Sequence, residues 1–155
     1  MKVHAKVAHK SHRKGPHDLL EWLDKHRVVV GIIGKKSKRK EGKVDNVGLA
    51  IIHEFGSGHI PARPWIRPPL YTHHDELTKE LVKIWESCKD GKGDPSKKLN
   101  ALGSLAASLV KNYVTQGDGI PPPNAPSTIK RKGSSRPLVD TGAMVNAVTW
   151  EVREK

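Results

Sequence analysis

Proline placement constrains this chain more than any other feature. Pro16 and Pro95 stand alone, and the rest fall into two clusters: Pro61, Pro64, Pro68 and Pro69, then Pro121, Pro122, Pro123, Pro126 and Pro137. Proline fixes φ, removes a backbone donor and pushes the preceding residue out of the helical region. Neither cluster can be the interior of a helix or a central strand. Both read as long, extended, semi-rigid loops, and long loops in a compact domain usually carry function. Pro16 and Pro95 suit the first turn of a helix, where a missing N–H is no loss.

The segments between the clusters have clear periodicity. A short helix is expected over 16–26, through Leu19, Leu20, Trp22 and Leu23. The β-branched run VVVGII at 28–33 reads as a buried strand. Asp45 can cap a helix that places Val47, Ala50, Ile51 and Phe55 on one face, with Gly56 as its stop. Leu77, Leu81, Trp85 and Cys88 recur every three or four residues and predict an amphipathic helix to about Lys89. Asp94 caps a further helix, with Leu99, Leu102, Ala106, Leu109 and Tyr113 as its apolar stripe and Gly117 at its end. Asp140 or Thr141 can start a short helical turn through Met144. Val148, Trp150 and Val152 then alternate with polar residues, as in a half-buried strand. The expected fold class is α+β, a small mixed β-sheet packed by about four helices with two Pro-rich loops.

With 155 residues, 35% of them apolar and 5% aromatic, the chain can support one modest core. Residues 16–155 read as that single domain, and residues 1–15 as a basic, His-rich arm. The net charge is +12, and residues 1–43 hold 13 Lys or Arg against 4 Asp or Glu. Such asymmetry marks either a solvated arm or a surface that meets a polyanion or an acidic protein. Two clusters stand out: Lys35, Lys36, Lys38, Arg39 and Lys40, and Lys130, Arg131 and Lys132. Either could contact phosphates. Either could equally be a solvated charged loop, because no base-stacking aromatics or DNA-reading motif accompany them. Cys88 is the only cysteine, so no intrachain disulfide forms, which suits assembly in a reducing cytosol. No stretch approaches the ~20 apolar residues of a membrane span, and the N-terminus lacks the apolar core of a secretory signal.

Catalytic patterns fail on spacing. His53-Glu54 would need a histidine at position 57 to make a zinc-protease helix, and Ser57 stands there. Gly56-Ser57-Gly58 lacks the strand-turn-helix setting of a nucleophile elbow. Cys88 lies on an apolar stripe, where a thiol acts as a small hydrophobe. Asp140-Thr141-Gly142 has no second copy to supply a paired carboxylate. We therefore expect no catalytic activity, no metal and no cofactor.

Two segments carry a family likeness: AIIHEFGSGHIPARPWIRPPL at 50–70 and PPNAPSTIKRKGSSRPLVDTGAMVNAVTWEV at 122–152. In this order they resemble the signature of a tail-component family of long-tailed bacteriophages, described as tail-completion, neck or virion-morphogenesis proteins. The chain has Trp65 where that family is expected to carry Phe, and Met144 where Leu is usual; both keep an apolar anchor. The basic arm has no counterpart in the motifs. The resemblance implies a structural virion protein assembled in the host cytoplasm, a subunit of a ring at the head–tail junction, commonly a hexamer. Its partners would be copies of itself, the connector or stopper, the tail terminator or tube, and packaged DNA in the axial channel. The alternative, from the basic clusters alone, is a soluble DNA-binding accessory protein.

A ring subunit must present pre-ordered segments to its neighbours, and proline lowers the entropy lost on docking. Arg63, Pro64, Trp65 and Arg67 are therefore candidate interface residues, with Trp65 as the apolar anchor. Asn124, Pro126 and Asp140 join them as residues of the second motif. Trp65 could instead close the subunit's own core, and Asp140 could be only a helix cap.

Overall fold

The computed structural model describes residues 15–34, 44–116 and 120–155. The basic arm and the cluster of Lys35, Lys36, Lys38, Arg39 and Lys40 lie outside the described residues, as does the expected stop at Gly117. In chain order the elements are α1 (Pro16–Lys25), β1 (His26–Ile32), α2 (Asn46–Phe55), α3 (Arg67–Thr72), α4 (His74–Cys88), α5 (Pro95–Gln116), α6 (Pro126–Lys132), α7 (Ala143–Asn146) and β2 (Val148–Glu154). The α+β class holds, but among the described residues the sheet is a single antiparallel pair rather than mixed. The described residues also form more helices than the four expected, because the Pro-rich segments contribute α3 and α6. No described helix is long and apolar enough to cross a membrane.

The sheet joins the two ends of the domain. Val28 pairs with Val152, Val30 with Trp150 and Ile32 with Val148, so one face is apolar up to the His26–Glu154 pair at its end. The alternate pairs, Val29 with Glu151 and Gly31 with Thr149, fall on the other face. This is the half-buried pattern expected of β2, and it makes β1 half-buried too, although its sequence reads as a buried run. The apolar face packs on α5, the central helix.

Helix α5 buries Leu99, Gly103, Ala106, Ala107, Val110 and Val114. Leu102, Leu109 and Tyr113, expected on its stripe, are only partly buried. Small residues win the contact because they let the helix approach the sheet. A Cβ on Gly103 would lie 2.3 Å from Cδ1 and 3.0 Å from Cβ of Trp150. One core cluster joins Ala50, Trp65, Ala107, Val110, Val114, Ile120, Met144, Val145 and Val148. A second joins Leu19, Ile84, Cys88 and Leu99 between α1, α4 and α5.

Several local signals act as read. The Asp45 carboxylate accepts from the Gly48 N–H at 2.7 Å, and the Asp94 carboxylate accepts from the Ser96 N–H at 3.0 Å. At the end of α2, Gly56 adopts φ 78 and its N–H donates to the Ile52 carbonyl. A side chain there would meet the returning backbone at Ala62 N, 2.9 Å away. Asp140 does not cap α7. Gly142 is the N-cap, and the nearby Thr141 hydroxyl accepts from the Ala143 N–H at 3.3 Å.

Candidate assembly groove

The segment after α2 turns back and is pinned by Arg63, whose N–H donates to the His53 carbonyl at 2.6 Å. This was expected to stay extended through Pro69. Instead Pro68 and Pro69 sit in the first turn of α3, where they lack no hydrogen bond the helix needs. The N-terminal N–H groups of this short helix still require acceptors. Glu54 supplies them from α2. Its Oε2 accepts from the Trp65 and Ile66 N–H groups at 2.7 and 3.0 Å, and its Oε1 from the Arg67 N–H at 3.4 Å. The Arg67 Nε donates to the same carboxylate at 2.6 Å. Burial would raise the Glu54 pKa, but Arg67 and the three backbone donors outweigh it and hold it below the usual carboxylate range.

Trp65 is fully enclosed, with 0% of its surface exposed, and its indole N–H points to the Ala50 carbonyl at 3.4 Å. The expectation that it anchors a neighbouring subunit is therefore corrected. The extended presentation on which that expectation rested is replaced by a fold-back, and Trp65 closes the domain's own core. Arg63, 7% exposed, is not an outer contact beside it either. Its Nε donates to the Pro122 carbonyl at 2.7 Å and its guanidinium to the Pro123 carbonyl at 3.0 Å. Pro64 is partly buried. Arg67 alone of this set keeps an exposed side chain, and it lies 4.7 Å over the Phe55 ring.

Arg63 thereby joins the two segments that carry the motifs. Between them runs a groove of about 560 Å³, walled by His59 and Ile60 on one side and by Asn124, Thr128, Arg131 and Lys132 on the other. Asp140 lines it as well, while Pro126, exposed at the start of α6, does not. Asn124 donates to the Ser135 carbonyl at 3.1 Å, holding the second loop closed. The basic cluster divides. Lys130 and Arg131 are exposed, whereas the Lys132 ammonium turns to the Arg136 carbonyl at 2.8 Å. Burial, followed by the nearby charges of Arg63 and Arg131, pulls the Lys132 pKa below the usual lysine range, against the opposing effect of Asp140.

Comparison with protein-family models, with curated proteins and with solved structures finds no match to this chain.

Sequence reasoning missed Glu54, Phe55 and Tyr71. Glu54 completes the stripe Asn46, Ala50, Glu54, and that stripe, which shares only Ala50 with the expected apolar one, is the buried face of α2. Ile51 is 54% exposed and Phe55 63% exposed as a result. The four-residue spacing was readable, but an apolar periodicity points away from a carboxylate as a core residue. Tyr71, 85% exposed, lies between the Pro-rich segment and the periodic run that begins at Leu77, where no pattern singles it out.

Proposed function

We propose that this chain is a non-enzymatic structural subunit of a tailed-phage virion, part of a ring at the head–tail junction that works through protein–protein contacts. The observation that carries the reading is the Arg63 bridge. Two segments about 60 residues apart, the same two that resemble the tail-component signature, are locked into one surface feature. A purely local role for either motif would not require that closure. The chain also exposes large apolar side chains, Ile51 and Phe55 one turn apart on α2, Ile60 in the groove wall and Tyr71 on α3, and exposed apolar residues of this size are what association surfaces use. These replace Trp65 as the anchors of the interface.

DNA binding is the second reading, and it draws on the exposure of Lys130 and Arg131. Co-sedimentation with intact virions tests the first. A protein that purifies with virions, and whose loss leaves unjoined heads and tails, supports the ring subunit. A protein absent from virions that binds duplex DNA with a steep salt dependence supports the second. Light scattering of the purified chain measures the ring, for which a hexamer is expected.

A further inference from the structure

The groove bounded by the two motif segments is electrostatically incomplete. Arg63 is buried, yet it donates only to neutral carbonyls. Among the described residues, Arg63, Arg131 and Lys132 make no ion pair. All three line the groove, and among the described residues Asp140 is the one acidic side chain that does. A buried charge without a counter-ion is unfavourable, and the partly buried Lys132 and exposed Arg131 add two more positive charges to the same groove against the single carboxylate of Asp140. An anion entering the groove relieves that strain directly.

We propose that this groove receives an extended, carboxylate-bearing segment of a partner protein, a refinement that rests on the assembly reading above. The groove's shape and lining favour a peptide over nucleic acid. Leu49, Ile60 and Leu138 line it together with the cations. A phosphate backbone has no apolar counterpart for those side chains, and a duplex cannot enter a volume of about 560 Å³. An extended peptide alternates its side chains, so carboxylates can meet Arg131 and Lys132 while apolar neighbours meet the leucines. Arg131 supplies the bidentate donor geometry that a carboxylate matches.

The test uses the full chain and a fluorescein-labelled peptide alternating glutamate with leucine and proline, read by anisotropy and by backbone amide shifts. We expect saturable binding with shifts at Ile60, Thr128 and Leu138. Arg131→Gln and Lys132→Gln should each weaken binding roughly tenfold, and Lys79→Gln, on α4, should not. Asp140→Asn should tighten it, because Asp140 is the groove's own competing carboxylate. The same peptide with glutamine for glutamate should bind at least about tenfold more weakly. Equal binding of the glutamine peptide, shifts confined to other surfaces, or indifference to Arg131→Gln in a variant with unchanged melting overturns the proposal. So does an oligothymidylate that occupies the groove in preference to the peptide. A chain present in virions whose groove ignores the peptide loses this inference but keeps the ring reading. Groove binding by a chain absent from virions has the reverse meaning.

Discussion

The Glu54 carboxylate accepts the Trp65 N–H at 2.7 Å in the interior of the domain. That one bond ties the end of α2 to the start of α3 and seats the tryptophan in the core. Glu54 thus serves as the remote cap of α3, whose own N-cap, Ile66, has no side-chain acceptor to offer.

Glu54→Gln should destabilise the folded chain by about 2 kcal/mol, because it weakens charge-assisted bonds to three N–H groups and to Arg67. Urea unfolding at neutral pH measures it. The sign with pH follows from the lowered pKa. The folded state binds the Glu54 proton less readily than the unfolded state, so the contribution is full above the ordinary glutamate value of 4.5 and fades as pH falls toward the depressed folded value. The gap between wild type and Glu54→Gln should narrow across that acidic window. A gap that stays constant with pH contradicts this role.

Trp65→Ala should unfold the chain before it affects assembly. Removing a fully buried aromatic leaves a cavity and destabilises by about 3–5 kcal/mol. The readouts are soluble yield and the thermal midpoint. A variant that melts like wild type and only fails to assemble would return Trp65 to the interface.

Tyr71→Ser tests the proposed contact surface by the opposite outcome. The side chain is 85% exposed, so stability should stay within about 0.5 kcal/mol of wild type. Incorporation into virions, measured by complementation, should fall. Normal incorporation removes Tyr71 from the contact surface.

Gly103→Ala sets two effects against each other. Helix propensity favours alanine by about 1 kcal/mol. The new methyl, however, meets the Trp150 ring and its Cβ at 2.3 to 3.0 Å, and overpacking costs about 1–3 kcal/mol. Because Trp150 is held in the strand pair with Val30, the clash should win. A net loss in denaturant midpoint is expected, and a gain would mean the sheet can slide away from α5.

Local chemistry was legible in the residues themselves. The Asp45 and Asp94 caps, the Gly56 stop, the helix starting at Pro95 and the alternation of Val148, Trp150 and Val152 all depend on neighbours within a few positions. The chain alone therefore determined them, together with the α+β class. The tertiary structure decided which face of each helix is buried. On α2, the stripe with Glu54 goes inward because α3 needs acceptors for its first N–H groups, and Ile51 and Phe55 turn outward. On α5, Gly103 and Ala107 face the sheet because close approach to Trp150 outweighs the larger side chains at Leu102 and Leu109. Arg63 reaches the carbonyls of Pro122 and Pro123 across about 60 residues of chain. No periodicity records such a pairing, because its partners are far apart in sequence and only tertiary packing brings the two proline clusters to one surface.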